Sequence, residues 1–165
     1  MRCIKSICRP GSEVIKIIGN NAEKINNAGL FWALNTVWFI PGRKYFIGGD
    51  GFYTAKHLGN EWILDNSMPP YYKTGIRGSN FNDIVISGAY GLLMHYNGIS
   101  WKNYQYITYM NSGAFGRVEI KDNILAATGG EGNKAIILIG EGKKLFYLKP
   151  PSDYSLRKSG EATGF

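Results

Sequence analysis

Residues 82–101 read NDIVISGAYGLLMHYNGISW, and residues 43–62, which lie 39 positions earlier, read RKYFIGGDGFYTAKHLGNEW. In this register two glycines and a tryptophan coincide: Gly49 with Gly88, Gly59 with Gly98, and Trp62 with Trp101. Residue types agree without gaps from 35–62 onto 74–101. Self-similarity at this spacing indicates a repeat architecture.

A third copy follows these two, and part of another copy precedes them. The string IVISG at 84–88 is echoed by the string LAATG at 125–129. The segment 14–25 is similar to the second half of a unit. The predicted boundaries are a half unit at 11–32, complete units at 33–71, 72–113 and 114–149, and a flexible tail at 150–165.

Each unit is predicted to contain four short β-strands. In the copy at 72–113 they are expected at 73–77, 83–87, 92–96 and 101–107, separated by turns rich in glycine and asparagine. Asn97-Gly98 is a typical hairpin turn sequence, because both residue types accept a positive φ angle at low cost. No helical periodicity persists over more than two turns, so we expect helix in less than about a tenth of the residues.

Four antiparallel strands per unit predict the blade of a β-propeller, so the sequence predicts an all-β chain of about three and a half blades. Trp62 and Trp101 are expected at equivalent buried positions, where the fourth strand begins. Three and a half blades are too few for a ring that takes about four to eight. Because open blade edges favour aggregation, we expect another protein chain, or a missing part of the same propeller, to complete the fold.

The stretch 82–101 also resembles a known repeat. An Asn-Asp pair precedes a hydrophobic strand, a Gly-x-x-Gly turn follows, and His-Tyr-Asn-Gly and Trp101 close the unit. This pattern resembles a bacterial β-propeller repeat, loosely similar to the Asp-box repeats of sialidases and to photosystem II assembly-factor propellers. The resemblance covers about 35–142 and implies the propeller fold, but it implies little about activity because propellers host many unrelated functions. Asn97 stands where the pattern usually has aspartate.

Charge and composition narrow the range of partners. The formal charge is +7, from 19 Lys and Arg against 12 Asp and Glu, but no run of five like charges occurs. We therefore do not expect nucleic-acid binding. Cys3 and Cys8 lack a second Cys or His pair at zinc-like spacing, which argues against a structural metal site. No stretch of 18 apolar residues predicts a transmembrane segment.

The sequence leaves the compartment open. An upstream signal peptide would make the protein extracellular or periplasmic, and otherwise it would be cytoplasmic.

Residues that could carry catalysis do not form a convincing set. His57 and His95 are one position out of the repeat register, so we expect them on opposite faces of their sheets. The string GGEGNK at 129–134 lacks the Gly-Lys-Ser/Thr ending of a phosphate-binding loop. Neither a nucleophile signature nor paired carboxylates are visible. We therefore predict no catalytic residue, metal or cofactor.

Four residues are the candidates for contacts with a ligand or partner. Arg77 and Arg117 are expected on first strands, which line the central channel of a propeller. Tyr104 and Tyr106 are expected to share one face of a fourth strand, where they could stack on sugar rings or bases. A sialidase needs three converging arginines, but Arg43 lies at a different place in its unit.

Two functions remain after these observations. The first is a non-enzymatic β-propeller module for protein–protein interaction or scaffolding, as part of a larger propeller or assembly. The alternative is a glycan-binding or glycan-processing propeller fragment similar to sialidases. The first is preferred because the chain offers a rigid repeat scaffold and no recognisable catalytic set.

Overall fold

The computed structural model describes residues 13–25 and 29–141, together with the backbone of 144–148 and 157–158. The described chain is all-β, and its strands form four antiparallel sheets. It divides into two compact units, 1–73 and 74–165. Cys3, Cys8 and most of the predicted tail at 150–165 lie outside the described residues.

The described residues form fifteen strands and one short helix. They are β1 (Val14–Ile18), β2 (Asn21–Ile25), β3 (Leu34–Ile40), β4 (Lys44–Gly49), β5 (Phe52–Ala55), β6 (Ile63–Leu64), β7 (Lys73–Asn80), β8 (Asp83–Gly88), β9 (Leu93–Tyr96), β10 (Trp101–Asn103), α1 (Gln105–Thr108), β11 (Ala114–Lys121), β12 (Ile124–Glu131), β13 (Lys134–Glu141), β14 (Lys144–Leu148) and β15 (Arg157–Lys158).

The four sheets of the described chain are β1–β2, β3–β6, β7–β10 and β11–β15, each with its strands in sequential order. Two of them are four-stranded antiparallel meanders of the predicted kind, and β1–β2 is a two-stranded sheet within the segment 11–32. The last sheet has a fifth strand, because β15 pairs with the expected outer strand β14. The all-β, blade-like fold class is therefore confirmed.

In the unit 1–73, the half sheet β1–β2 packs on the sheet β3–β6. Val14 and Ile25 come from the half sheet, and their core partners include Ile47, Tyr53 and Trp62. A β-bulge lies in β3 between Leu34 and Thr36, opposite the end of β4. Gly49 is required there, because a Cβ atom would lie 1.9 Å from the carbonyl oxygen of Ala33.

In the unit 74–165, the sheets β7–β10 and β11–β15 pack face to face. Val85 and Leu93 from the first sheet join a core with alternate residues of the second: Val118, Ile120, Leu125, Ala127, Ile136 and Leu138. Ala89 and Ala114 form an isolated antiparallel bridge between the two sheets. The hydroxyl of Thr74 also donates a hydrogen bond to the carbonyl oxygen of Phe115. The last two repeats of the sequence thus form two sheets that stack on each other within this unit.

The repeat register is visible in the backbone. Gly59 has φ +92° and Gly98 has φ +91°, so the two glycines occupy the same left-handed position in their turns. Asn97 does not adopt a positive φ angle. Instead, its side-chain oxygen accepts hydrogen bonds from the amides of Ile99 and Ser100, both at 3.0 Å. The glycine alone provides the turn's left-handed residue, and the asparagine closes the turn.

Trp62 and Trp101 fit the expected positions in part. Trp101 is the first residue of β10, and Trp62 immediately precedes β6. Trp62 is buried, with 2% of its surface exposed, whereas Trp101 is half-buried and contacts Tyr96 at a ring-centroid distance of 5.1 Å. The alignment holds within one residue, but the expected equal burial is wrong.

The fourth strand of the second complete unit was predicted too long. β10 ends at Asn103, and the next residues form α1. The amide of Gln105 donates to the side-chain oxygen of Asn103 at 2.9 Å, which starts the helical turn. The helix has four residues, so helix remains below a tenth of the described chain.

Candidate interaction surfaces

Arg77 and Arg117 lie on β7 and β11, the first strands of the two stacked sheets. The Nε atom of Arg77 is 3.4 Å from Oε2 of Glu119, and its Nη1 atom donates to the carbonyl oxygen of Ile76 at 2.7 Å. Arg117 is exposed and shares the solvent face of β11 with Glu119, two residues later. Arg77 therefore joins the two sheets through an ion pair, and its role in ligand binding stays a prediction, as does that of Arg117.

Tyr104 and Tyr106 do not share a strand face, so that expectation was wrong. Tyr104 is only 1% exposed and belongs to the core between the two sheets. Tyr106 lies in α1 and is 72% exposed. Burial, with a smaller effect from Tyr106, raises the pKa of Tyr104. Of the two tyrosines, Tyr106 alone is placed for stacking on a ligand.

The two histidines have different structural roles. His57 is exposed in the turn that follows β5, so it has no place on a strand face and the expected comparison of faces does not apply. His95 is buried on β9, where its Nε2 atom is 2.7 Å from Oδ1 of Asp83. The hydroxyl of Ser79 donates to the other oxygen of the same carboxylate. His95 and Asp83 thus form a cross-strand structural pair.

Lys73 is a buried amine at the start of β7, with 2% of its surface exposed. Its Nζ atom donates to the carbonyl oxygen of Pro69 at 2.8 Å and to that of Asp50 at 3.4 Å. Burial lowers the pKa of the Lys73 ammonium, and the Asp50 carboxylate offsets part of this effect. The hydrogen bond to Pro69 therefore connects Lys73 to the loop at 65–72 and helps to fix its backbone.

A surface that the sequence did not predict surrounds the turn after β8. Tyr90 has φ +57°, a left-handed conformation that is unusual for a bulky residue, and it is 45% exposed. Its amide donates to the carbonyl oxygen of Gly113 at 2.7 Å, and its own carbonyl oxygen accepts from the amide of Met110 at 3.3 Å. The side-chain amide of Gln105 donates to the same carbonyl oxygen at 3.0 Å. The segment 105–113 therefore fixes the backbone of this turn.

Exposed tyrosines flank these hydrogen bonds. Tyr106 follows Gln105, and Tyr109, which is 60% exposed, precedes Met110. We call Tyr90, Tyr106 and Tyr109 the tyrosine surface. The sequence showed these residues as parts of turns and strands, and neither the left-handed Tyr90 nor the interrupted strand had a signal in the pattern.

A second surface is the solvent face of the sheet β11–β15, which we call the open face. Its residues alternate with those of the buried core and are Ile124, Ala126, Thr128, Ile137 and Ile139. Ile137 is 45% exposed and Ile139 is 37% exposed. Strand pairing aligns Ile139 with Ala126 and Ile137 with Thr128, so these side chains form two rows on one face. The exposed charged residues Arg117, Glu119, Lys121 and Glu141 border the rows.

Two findings concern metal sites and membrane-spanning helices in the described residues. Among the described residues, no group of three or more His, Cys, Asp or Glu side chains could hold a metal ion. In the same part of the chain, no helix is long and apolar enough to cross a membrane. An apolar pocket in the unit 1–73 is lined by residues of the half sheet and of β3–β6, namely Val14, Ile15, Lys16, Val37, Phe39, Tyr45, Leu58 and Trp62.

Comparison with known proteins yields no match, either to a family model or to a curated protein.

Proposed function

We propose that this chain is a non-enzymatic β-propeller module that binds another β-sheet through its open face, as an interaction or scaffolding part of a larger propeller or assembly. The supporting observation is a difference between equivalent positions in two stacked sheets. Val85 and Leu93 have no exposed surface, and both belong to the core shared with the sheet β11–β15. Their equivalents in the last sheet belong to the open face.

The equivalence follows from the sequence register and from strand pairing. When the string at 84–88 is aligned with the string at 125–129, Val85 falls on Ala126 and Ser87 falls on Thr128. Leu93 pairs with Ser87, and Ile137 pairs with Thr128. Leu93 therefore corresponds to Ile137, so the positions that one sheet covers with its neighbour are open in the next sheet.

The interface between the two sheets of the unit 74–165 indicates what kind of surface would cover the open face. The sheet β7–β10 is covered by aliphatic residues at alternate positions of β11, β12 and β13. A partner for the open face should present the same kind of surface, a twisted sheet with medium-sized aliphatic side chains. The border of Arg117, Glu119, Lys121 and Glu141 carries both signs of charge, which suits a rim with complementary ion pairs.

A second copy of the chain offers an apolar sheet face, so self-association of the purified protein is the direct test. We expect multi-angle light scattering to show concentration-dependent self-association, and the double variant Ile137→Lys/Ile139→Lys to remain monomeric. Ile99→Lys is the matched control, because Ile99 is 89% exposed in a turn of the same unit. A wild-type protein that stays monomeric at every concentration, or a control that acts like the double variant, would contradict the proposal.

A further inference from the structure

We propose that the tyrosine surface binds an uncharged oligosaccharide, at a site separate from the open face and independent of the proposed function. The site would use the rings of Tyr90, Tyr106 and Tyr109 as platforms for sugar rings. Tyrosine suits this role because it combines a flat apolar ring with a polar hydroxyl tip. The chemical class of the ligand follows from the charge around the three rings.

The segments that carry the three tyrosines contain no charged residue. Neither 84–94 nor 103–116 includes Asp, Glu, Lys, Arg or His, although charged residues make up 19% of the chain. Their polar side chains are instead amides and hydroxyls, including those of Gln105, Asn111 and Ser112. Such groups donate and accept hydrogen bonds without charge, as the hydroxyls of a sugar do. A polyanion would need cations that these segments lack.

Lys102 and Glu131 are charged residues near these segments, and both have protein contacts. The Nζ atom of Lys102 lies 5.2 Å from the ring centroid of the buried Tyr104. The carboxylate of Glu131 accepts a hydrogen bond from the amide of Asn111 at 2.7 Å. Both contacts are made with the segment 104–111. Lys102 and Glu131 therefore stabilise this segment, and the ligand class is inferred without them.

The backbone holds the tyrosine surface in place. Tyr90 is kept in its left-handed conformation by hydrogen bonds with Gln105, Met110 and Gly113. Gly91 has φ +74°, and a Cβ atom there would lie 1.9 Å from the carbonyl oxygen of Thr108. The Thr108 hydroxyl in turn donates to the carbonyl oxygen of Gly91 at 2.6 Å. Strained residues that the surrounding structure holds firmly are concentrated at ligand sites.

An exposed and pre-ordered aromatic residue lowers the entropic cost of binding. Tyr106 lies in α1 and Tyr109 follows the end of this helix, so both belong to the segment 105–113 that fixes the turn at Tyr90. The surface therefore presents one ring from the turn after β8 and two rings from the segment that fixes this turn.

Isothermal titration calorimetry of the whole chain tests the inference with three uncharged probes: cellohexaose, mannohexaose and chitohexaose. We expect at least one to bind, and Tyr106→Ala and Tyr109→Ala each to weaken that binding by about fivefold or more. Tyr106→Phe keeps the ring and should retain most of the affinity. Ile99→Ala, a change at an exposed turn residue outside the surface, should leave the affinity unchanged.

Circular dichroism should show the same fold for all four variants, because every changed side chain is largely exposed. The absence of binding to all three sugars would overturn the inference. Binding that survives both alanine changes would also overturn it, as would a tyrosine-dependent interaction with a decaproline peptide or with sialyllactose in place of the uncharged sugars. Self-association through the open face is measured separately, so either proposal can fail without the other.

Discussion

The sheets β7–β10 and β11–β15 share a strand order but differ in how their faces are covered. In β8, Ile84, Val85 and Ile86 all have no exposed surface, so both faces of the strand are buried. In β12, burial alternates along the strand. Leu125 and Ala127 are buried, whereas Ala126 is half-buried and Thr128 is exposed. A strand whose two faces are buried needs a neighbour on each side.

This difference shows what the repeat can and cannot specify. The same strand pattern forms both sheets, but whether a face of a sheet is buried depends on which sheet packs against it. Ala126 and Thr128 are smaller or more polar than many core residues, so the chain tolerates their exposure in isolation. Exposure is costly for the large apolar residues Ile137 and Ile139. The difference between the two sheets is therefore tested best at these positions.

The largest expected effect separates Leu93 from its equivalent, Ile137. Leu93→Ala should lower the free energy of unfolding by about 2–5 kcal/mol, because it leaves a cavity in the shared core. Ile137→Ala should lower it by less than about 1 kcal/mol, because nearly half of that side chain is already in water. Urea unfolding followed by tryptophan fluorescence, at a concentration where light scattering shows monomers, measures both. Equal losses would mean that the open face is covered in the isolated monomer.

Periodicity and turn chemistry made the repeat predictable. Gly59 and Gly98 mark the same turn in two units, and the string at 125–129 lies on β12 as its alignment with 84–88 requires. Because the backbone of this turn requires a left-handed residue, glycine occupies the same position in both units. The fold class and most strand positions therefore followed from local rules.

The candidate surfaces were harder to predict because they depend on contacts between segments. Tyr104 follows the end of β10, where its amide donates to the carbonyl oxygen of Leu93 at 2.8 Å and its side chain joins the core between the two sheets. Strand alternation alone placed Tyr104 and Tyr106 on one face. Tyr90 gave no signal either, because its conformation is imposed by hydrogen bonds from residues at least 15 positions away in the sequence.

A smaller effect is expected in the turns that follow β8 and β12. Tyr90 and Gly132 both have φ +57°, so a tyrosine in one turn and a glycine in the other adopt the same left-handed φ angle. Tyr90→Gly should be more stable than Tyr90→Ala by about 1 kcal/mol, because glycine removes the cost of the left-handed conformation. Gly132→Ala should lose a similar amount, since a Cβ atom there meets nothing within 4 Å and only the backbone term changes.

Thermal and urea unfolding of the three variants measure these differences. If the tyrosine surface binds sugar, Tyr90→Gly should lose affinity while it keeps or gains stability, which is the trade expected of a strained functional residue. A Tyr90→Gly protein that is less stable than Tyr90→Ala would mean that the turn is not strained in solution.

The smallest effect concerns the first position of the first strands, where the repeat register aligns Lys73 with Leu34 and Ala114. Leu34 is buried and Ala114 is half-buried, so Lys73 places a cation at a position that is otherwise apolar. Burial lowers the pKa of Lys73 in the folded state below its ordinary value. Between these two pKa values the unfolded chain binds more protons than the folded chain, so the free energy of unfolding should rise with pH.

The rise ends at the ordinary lysine pKa of about 10.5, and one proton limits its slope to about 1.4 kcal/mol per pH unit. Lys73→Met should remove this contribution, so the stability difference between wild type and variant should change with pH in favour of the wild type. Lys134→Met is the matched control, because Lys134 is exposed on β13 and should show no such change. Urea unfolding from neutral to alkaline pH measures both differences. A wild-type protein that gains nothing over Lys73→Met as the pH rises would mean that the Lys73 ammonium is as well stabilised by the carbonyl oxygens of Pro69 and Asp50 as it is by water.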